Sequence, residues 1–183
     1  MKKLLLITGD LATGKSTFAE IMSKRYNTPV MYKDKIKEVL GDTIGFVDRE
    51  ENLKLSIATV ALMTYGFSEL AQLDLDVILE ANFKEEELRR IKEISDNCGY
   101  DTLTLVLRAD MDIIYERFVR RIEKENRHPV HISGFDGYDT LKFYIEKGRG
   151  QATFGKTVEI CANDFTYQTD KQLLDEIDGF MRA

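Results

Sequence analysis

The sequence predicts an α/β fold built on a parallel sheet, and three observations support this prediction. Short, nearly continuous apolar runs are typical of strands that are buried on both faces of a parallel sheet. Amphipathic segments with apolar residues three and four positions apart lie between these runs, as expected for helices that cover such a sheet. A glycine-containing segment follows the first apolar run directly and leads into a helix-like segment.

Five apolar runs are candidate strands, and they are separated by segments long enough to cross over the sheet. They occupy residues 4–8, 30–32, 77–79, 103–107 and, more weakly, 158–161. Strands that alternate with helices in this way imply right-handed crossover connections. The length of 183 residues suits one domain spanning residues 1–183.

Apolar stripes and capping residues indicate where the helices begin and which faces they bury. Asp48 and Glu51 form a candidate capping box for the longest helix, whose predicted apolar face consists of Leu53, Ile57, Val60, Met63, Phe67 and Leu70. Thr169 and Gln172 form a candidate capping box for the last helix. Both helices would therefore pack an apolar stripe against the rest of the domain.

The glycine-containing segment matches the phosphate-binding P-loop pattern G-x-x-x-x-G-K-S. It reads Gly9-Asp10-Leu11-Ala12-Thr13-Gly14-Lys15-Ser16-Thr17, and it has the strand–loop–helix context that this motif requires. Its glycines permit positive φ, so that the backbone amides can surround an anion at a helix N-terminus. Lys15 would reach the β- and γ-phosphates of ATP, and the Ser16 hydroxyl would bind Mg²⁺. The alternative interpretation is a strand–helix turn that binds nothing.

Asp34 follows the second candidate strand. The carboxyl ends of parallel strands border the ligand crevice, so that Asp34 is a candidate general base toward a substrate hydroxyl, or a contact to Mg²⁺ through water. The alternative role is the N-cap of a helix over residues 35–40.

Glu80 and Asn82 lie at the end of the third candidate strand. A carboxylate at this position can orient Mg²⁺-bound water or a substrate hydroxyl, although an ordinary strand-end residue would look the same. Asn82 is either a substrate contact or the N-cap of the next helix, with Glu85 completing a capping box. Both residues are therefore candidates for substrate binding.

A cationic helix face precedes a polar segment that contains several glycines. Arg117, Arg121 and Lys124 recur at helical spacing, and Arg127 lies in the segment of residues 125–136. Arginines neutralise the negative charge that spreads over a transferring phosphoryl group, although a solvated face paired with glutamates is the alternative. Residues 125–136 are predicted to form a small lid that closes over bound nucleotide.

Composition limits the classes of protein to which this chain can belong. Apolar residues make up 43% and charged residues 32% of the chain, and the net charge is −6. This acidic balance does not favour a polynucleotide partner. The apolar run at the start is too short for a secretory signal or a membrane span, and the two cysteines form no recognisable disulfide or metal pattern. A cytoplasmic protein is therefore expected.

With these motifs, the chain resembles the P-loop small-molecule kinases of the nucleoside-monophosphate-kinase-like fold. It is most similar to the branch of shikimate-, gluconate- and antibiotic-phosphorylating enzymes, zeta toxins and polynucleotide 5′-hydroxyl kinases. The resemblance runs through residues 4–37, 77–83 and 103–136. It implies a three-layer P-loop NTPase fold: a five-stranded parallel sheet of order 2-3-1-4-5, with helices on both faces and a small lid.

The resemblance also implies roles for individual residues. Asp34 corresponds to the acidic residue that serves as base or metal contact after the second strand. Arg117 corresponds to an arginine that packs near adenine, and Arg121 and Arg127 correspond to lid arginines that approach the phosphates. With Lys15, these residues would form an ATP- and Mg²⁺-dependent catalytic site.

Two departures from the family pattern bear on the acceptor. Polynucleotide kinases of this group tend to carry an arginine where this chain has Lys37, and shikimate kinases carry an acidic residue where it has Tyr32. The expected activity is therefore transfer of the γ-phosphoryl group of ATP to a hydroxyl of a sugar, nucleoside or antibiotic-like molecule. A polynucleotide 5′-hydroxyl kinase and a non-catalytic ATP-binding regulatory module are the alternatives, and neither the acceptor nor the oligomeric state can be inferred from the sequence.

Overall fold

The computed structural model describes residues 1–124, 127–131 and 137–183 and contains a five-stranded sheet of order β2-β3-β1-β4-β5. Every neighbouring pair of strands is parallel. The strands are β1 (Lys2–Gly9), β2 (Val30–Tyr32), β3 (Val77–Glu80), β4 (Tyr100–Arg108) and β5 (Lys156–Cys161). The predicted strand order of the P-loop NTPase fold is confirmed.

Helices connect the strands and cover both faces of the sheet. They are α1 (Lys15–Tyr26), α2 (Lys33–Ile44), α3 (Arg49–Leu70), α4 (Glu85–Asn97), α5 (Met111–Lys124), α6 (Tyr138–Arg149) and α7 (Lys171–Met181). Short 3₁₀ turns lie at Pro129–His131 and Thr166–Thr169. The α6 helix was not among the segments that the sequence pattern predicted.

The hydrophobic core has two halves, one on each face of the sheet. Along β1, Leu5 and Ile7 pack with Phe18 of α1 on one face, while Leu4 and Leu6 pack into the other half. All of these side chains are fully buried, which accounts for the nearly continuous apolar run of β1. Each such side chain stabilises the fold by roughly 1.5–3 kcal/mol relative to exposure.

The predicted buried stripe of α3 is wrong over its N-terminal half. Leu53 and Ile57 expose 55% and 64% of their surface. The buried residues of α3 are Leu55, Thr59, Met63 and Phe67. The C-terminal half of the helix, with Met63 and Phe67, packs on the sheet. The N-terminal half instead directs Leu53 and Ile57 away from the core.

Of the two predicted capping boxes, one has its N-cap at the predicted residue and the other does not. Asp48 caps α3, because its Oδ1 accepts a hydrogen bond of 2.9 Å from the Glu51 amide. The box at Thr169 is wrong by one residue: Asp170 is the N-cap of α7 and accepts from the Leu173 amide at 2.8 Å. The Thr169 hydroxyl instead donates to the Thr166 carbonyl inside the preceding 3₁₀ turn.

Candidate active site

The P-loop has a backbone conformation that few sequences adopt. Gly9, Ala12 and Gly14 all have positive φ, of 120°, 57° and 84°. A Cβ on Gly9 would lie 2.1 Å from the Leu107 carbonyl oxygen, so that only glycine fits between β1 and β4. Positive φ is costly for Ala12, and this local strain is consistent with an anion-binding loop.

Side chains from outside the motif hold the P-loop in this conformation. The Tyr167 hydroxyl donates to the Thr13 carbonyl at 2.8 Å, and the Thr13 hydroxyl donates to the Asp10 carbonyl at 2.8 Å. The Asp10 carboxylate forms an ion pair of 2.5 Å with Arg149 of α6 and accepts from the Ala109 amide at 3.2 Å. Asp10 therefore contributes its backbone to the loop, while its side chain fixes the loop to the sheet and α6.

Lys15 is buried at the start of α1, and its Nζ donates to the Asp10 carbonyl at 2.5 Å. Burial lowers the pKa of the Lys15 ammonium, although the charges of Glu80, Asp34 and Asp10 oppose this effect. A buried cation gains stability when an anion arrives. The loop and Lys15 together therefore fit the phosphate groups of a nucleotide.

Ser16 and Glu80 meet beside Lys15. The parallel register pairs Glu80 of β3 with Ile7 of β1, at the end of the strand that leads into the P-loop. The Ser16 hydroxyl donates to Glu80 Oε2 at 3.1 Å. Glu80 is only 4% exposed, and burial raises the pKa of its carboxyl despite the opposing charge of Lys15.

These oxygen atoms suit Mg²⁺, which commonly uses one or two protein groups together with water and phosphate oxygens. Within residues 1–124, 127–131 and 137–183, no group of three or more His, Cys, Asp or Glu side chains could hold a metal ion. An ion at Ser16 would therefore depend on the nucleotide for much of its coordination.

The P-loop lines a cavity of about 430 Å³, here called the P-loop cavity. Arg117 of α5 lies in its wall, stacked 4.4 Å from the ring centroid of Phe165. The Arg117 guanidinium also donates to the carbonyls of Ala162 and Asn163, at 2.7 and 2.8 Å. A guanidinium and an aromatic ring in the cavity wall suit the base of a nucleotide, because both groups can pack face to face on a planar ring.

Arg121 and Arg127 also border the P-loop cavity. The charge of Arg121 contributes to the lowered pKa of Lys15, which indicates that the two cations are close. Burial is the main reason why the pKa of His131 is lowered, and the charge of Arg127 lowers it further. Positive charge therefore surrounds the P-loop from α5 and from the segment that follows it.

A second and larger cavity, of about 610 Å³, lies beside the P-loop cavity. We call it the α2/α3 cavity, because α2 and α3 supply much of its wall. Tyr144 of α6 lines this cavity as well. The polar wall of the cavity includes the ion pair between Lys33 and Glu87, with a distance of 2.6 Å. Its apolar wall consists of Leu11, Leu53, Ile57, Val60 and Val130.

Asp34 and Asn82 border both cavities. Asp34 lies in the first turn of α2, whose N-cap is Tyr32, so that the N-cap interpretation of Asp34 is wrong. Asn82 is not the cap of α4 either, since that role belongs to Lys84, whose amide donates to Glu87 at 3.1 Å. The side-chain Nδ2 of Asn82 instead donates to the Tyr144 hydroxyl at 3.5 Å.

The 3₁₀ turn Pro129–His131 is attached to α2. The Val130 carbonyl accepts from Lys37 Nζ at 3.0 Å and from Asn52 Nδ2 at 3.2 Å. The Val130 side chain fills the space beside Gly41, where a Cβ would lie 2.3 Å from Val130 Cγ1. Both flanking histidines add polar contacts, His128 to Asp42 and His131 to Glu38, each at 3.0 Å.

The predicted lid is only partly described. Residues 127–131 belong to the described part, whereas residues 125–126 and 132–136 of the predicted lid lie outside it. The described part brings Arg127 to the junction of the two cavities.

Sequence reasoning missed several residues of the site. Arg149 and Tyr167 hold the P-loop in place, and Phe165 packs against Arg117. Tyr144 lines the α2/α3 cavity. Phe165 and Tyr167 follow the carboxyl end of β5, and such positions in a parallel sheet are a recognisable signal. The weak apolar pattern of β5 hid that signal, because β5 is an edge strand in which five of the six residues are exposed or half-buried and only Ile160 is buried.

Comparison with known proteins identifies the fold. No protein-family model matches the sequence, and a search of curated proteins finds no relative. A candidate kinase from Chloroflexus aurantiacus is 22% identical, with a TM-score of 0.85 over 98% of both chains. A gluconokinase from Sinorhizobium meliloti is 12% identical, with a TM-score of 0.58 over 98% of this chain and 92% of that one.

A third similar structure contains a nucleotide analogue. The adenylylsulfate (APS) kinase CysC of Mycobacterium tuberculosis, in complex with AMPPNP and APS, is 14% identical, with a TM-score of 0.56 over 100% of this chain and 98% of that one. The protein therefore has the fold of the P-loop small-molecule kinases. In the described part of the chain, no helix is both long and apolar enough to cross a membrane.

Proposed function

We propose that the protein is an ATP-dependent kinase that transfers the γ-phosphoryl group to a hydroxyl of a small molecule. The single observation that carries this proposal is the junction between the two cavities. Leu11, Asp34, Asn82 and Arg127 border both of them. A phosphoryl donor in one cavity and a hydroxyl acceptor in the other would therefore meet at a carboxylate and a guanidinium.

The P-loop cavity supports the donor half of this proposal. The positive-φ loop and the buried Lys15 suit the phosphates, and the stack of Arg117 on Phe165 suits a purine ring. Ser16 and Glu80 offer oxygen atoms to Mg²⁺. Bound there, Mg²⁺ would neutralise charge on the phosphates.

Asp34 is the proposed general base. Its carboxylate would accept the proton of the acceptor hydroxyl as that oxygen attacks the γ-phosphorus. Lys15, Arg121 and Arg127 would stabilise the negative charge on the phosphoryl oxygens, because preorganised cations act strongly in a site with little water. This role for Asp34 is supported by its place at the junction and by its lack of a capping function.

The test is Asp34→Asn, which keeps the size of the side chain and removes its basicity. Phosphoryl transfer should fall by about 10²-fold or more, since a general base contributes on this scale. Nucleotide affinity and melting temperature should stay close to those of the wild type, because Asp34 does not cap α2. The measurement is ADP release coupled to a screen of hydroxyl compounds, with product identified by ³¹P NMR.

The same screen separates the alternative functions. ATP binding without acceptor-dependent ADP release would support a non-catalytic regulatory module. Release that depends on oligonucleotide 5′-hydroxyls would support a polynucleotide kinase. If Asp34→Asn retains full turnover, or lowers the melting temperature while leaving turnover intact, the proposed role of Asp34 is wrong.

A further inference from the structure

An apolar stripe, exposed at Leu53 and Ile57 and half-buried at Val60, runs along the N-terminal half of α3. It consists of Leu53, Ile57 and Val60, which line the α2/α3 cavity. Their spacing of four and three residues puts them on one face of the helix. Leu55 and Met63 are buried and lie outside the residues that line the cavity, so that α3 turns one apolar face to the core and a second one to the cavity.

The cavity has polar side chains where it meets the P-loop cavity. Asp34 and Asn82 border it there, at the junction with the P-loop cavity. The cavity thus has a hydrogen-bonding end near the proposed chemistry and an apolar wall on α3. A ligand that filled it would need the same division between a hydroxylated end and an apolar body.

Five of the charged side chains that line this cavity already have polar partners. Lys33 forms an ion pair with Glu87 at 2.6 Å, and Arg90 forms one with Glu86 at 2.7 Å. Lys37 Nζ donates to the Val130 carbonyl at 3.0 Å. An acidic acceptor would have to compete with these partners, whereas an apolar group only displaces water from Leu53, Ile57 and Val60.

The size of the cavity points the same way. Its volume of about 610 Å³ falls within the range of roughly 300–1,000 Å³ that pockets for drug-sized ligands have. A small polyol would leave the apolar wall of α3 in contact with water. A larger molecule would cover it.

We infer that the phosphoryl acceptor is an amphipathic alcohol of drug-like size. Its hydroxyl lies against Asp34 and Asn82, and its apolar body, an aromatic ring or an alkyl chain, packs on Leu53, Ile57 and Val60. This inference rests on the proposed kinase function and names the class of acceptor that it uses. It makes the first turns of α3 the segment that determines acceptor specificity.

The test compares two variants of the same helix. Ile57→Gln puts a polar group in the apolar wall and keeps a good helix former. Leu62→Gln is the matched control, because Leu62 is also exposed on α3, at 46%, and lies outside the residues that line either cavity. Neither change removes a buried side chain, so both variants should fold, and their melting temperatures verify this.

The acceptors are pairs of compounds that share one hydroxylated head, such as methyl and phenyl or octyl glycosides of the same sugar. In the wild type, the apolar member of a pair should have a kcat/KM about 10-fold or more above that of the polar member, as expected when an apolar group fills a complementary pocket. Ile57→Gln should remove this preference, and Leu62→Gln should keep it. A polar member that is used as well as its apolar partner would overturn the inference while leaving the kinase function intact.

If no pair is phosphorylated, binding of 1-anilinonaphthalene-8-sulfonate decides. Its fluorescence titration should give a Kd about 10-fold higher in Ile57→Gln than in the wild type or Leu62→Gln. Equal Kd values in all three proteins would overturn the inference. So would a dimer in gel filtration that Ile57→Gln dissociates, because the stripe would then be covered by a second copy of the chain.

Discussion

The two cavities that meet at Asp34 are built in different ways. The phosphate-binding loop of the P-loop cavity is defined by backbone: positive φ at three residues and a helix N-terminus, all within nine consecutive residues. The α2/α3 cavity is defined by side chains that come from α2, α3, α4, α6 and the 3₁₀ turn Pro129–His131. The phosphate-binding loop of the proposed donor half is therefore a local property of the sequence, and the proposed acceptor half is a property of the tertiary structure.

This difference teaches where function can change easily. Gly9 cannot be replaced without contact with the Leu107 carbonyl, so the donor half tolerates little variation. Leu53 and Ile57 are exposed and support little of the core, so that, under the proposed function, substitutions there would change acceptor preference at a small cost in stability. Variants in the two halves should accordingly affect different kinetic constants.

The largest effect is expected in the donor half. Lys15→Ala removes the buried ammonium beside the P-loop and should lower turnover by at least ~10²-fold, as the loss of one preorganised transition-state donor does. Single-turnover kinetics with ATP measure this directly. Full turnover and full ATP affinity in Lys15→Ala would mean that the loop does not bind phosphate, and the contrast between the halves would disappear.

The next effect concerns Arg127, at the junction. Arg127→Ala should lower kcat by about tenfold, because a charged hydrogen bond contributes on this scale. KM for ATP should rise less, since the contact is expected to form mainly in the transition state. Steady-state kinetics separate the two constants, with Arg89→Ala, an exposed arginine of α4, as the control. A rise in KM alone would assign Arg127 to ground-state binding of ATP.

A pH profile sharpens the assignment of Glu80 to the donor half. Burial raises the pKa of this carboxyl above its ordinary value of 4.5. If its ionised form is needed beside Ser16, kcat/KM for ATP should fall as the pH drops through that raised pKa. Glu80→Gln should give a lower plateau and move the acid limb to lower pH, whereas Glu146→Gln, on the exposed face of α6, should leave the profile unchanged. An acid limb that is identical in Glu80→Gln would show that another group controls it.

The smallest effect is expected at the contact between α2 and the 3₁₀ turn. Gly41→Ala should stabilise a helix by up to ~1 kcal/mol on propensity alone, but the new Cβ would lie 2.3 Å from Val130 Cγ1. Val130 must therefore move, and we expect this movement to displace Arg127, which lies three residues earlier in the chain. We expect a loss of a few-fold in kcat/KM for the acceptor, with ATP binding by calorimetry unchanged.

Gly179→Ala is the matched control, since a Cβ at that helical glycine meets nothing within 4 Å. It should raise the melting temperature and leave catalysis unaffected. If Gly41→Ala behaves in the same way, the packing of Val130 on α2 does not position Arg127.

The sequence predicts the fold and the P-loop well, because both depend on local patterns. The apolar runs marked the strands, and the motif marked the turn after β1. The prediction that the apolar stripe of α3 is buried was wrong over its N-terminal half. The spacing of the stripe identified an apolar face, but it did not indicate whether the sheet or a cavity lies opposite that face. Arg149 and Asp10 are 139 residues apart, and no local pattern reveals such a pair. The roles of Asp34, Arg121 and Arg127 remain predictions.

The side chains that hold the P-loop in place also affect how fast a ligand can bind. Tyr167 and Arg149 hold the loop in its strained form through groups that belong to the folded domain. The entropy of ordering the loop is thus lost once, during folding, and does not recur at each encounter. In the proposed kinase, association with nucleotide would then be limited by diffusion and orientation, and the positive φ of Ala12 would favour fast binding as well as fix the shape of the loop.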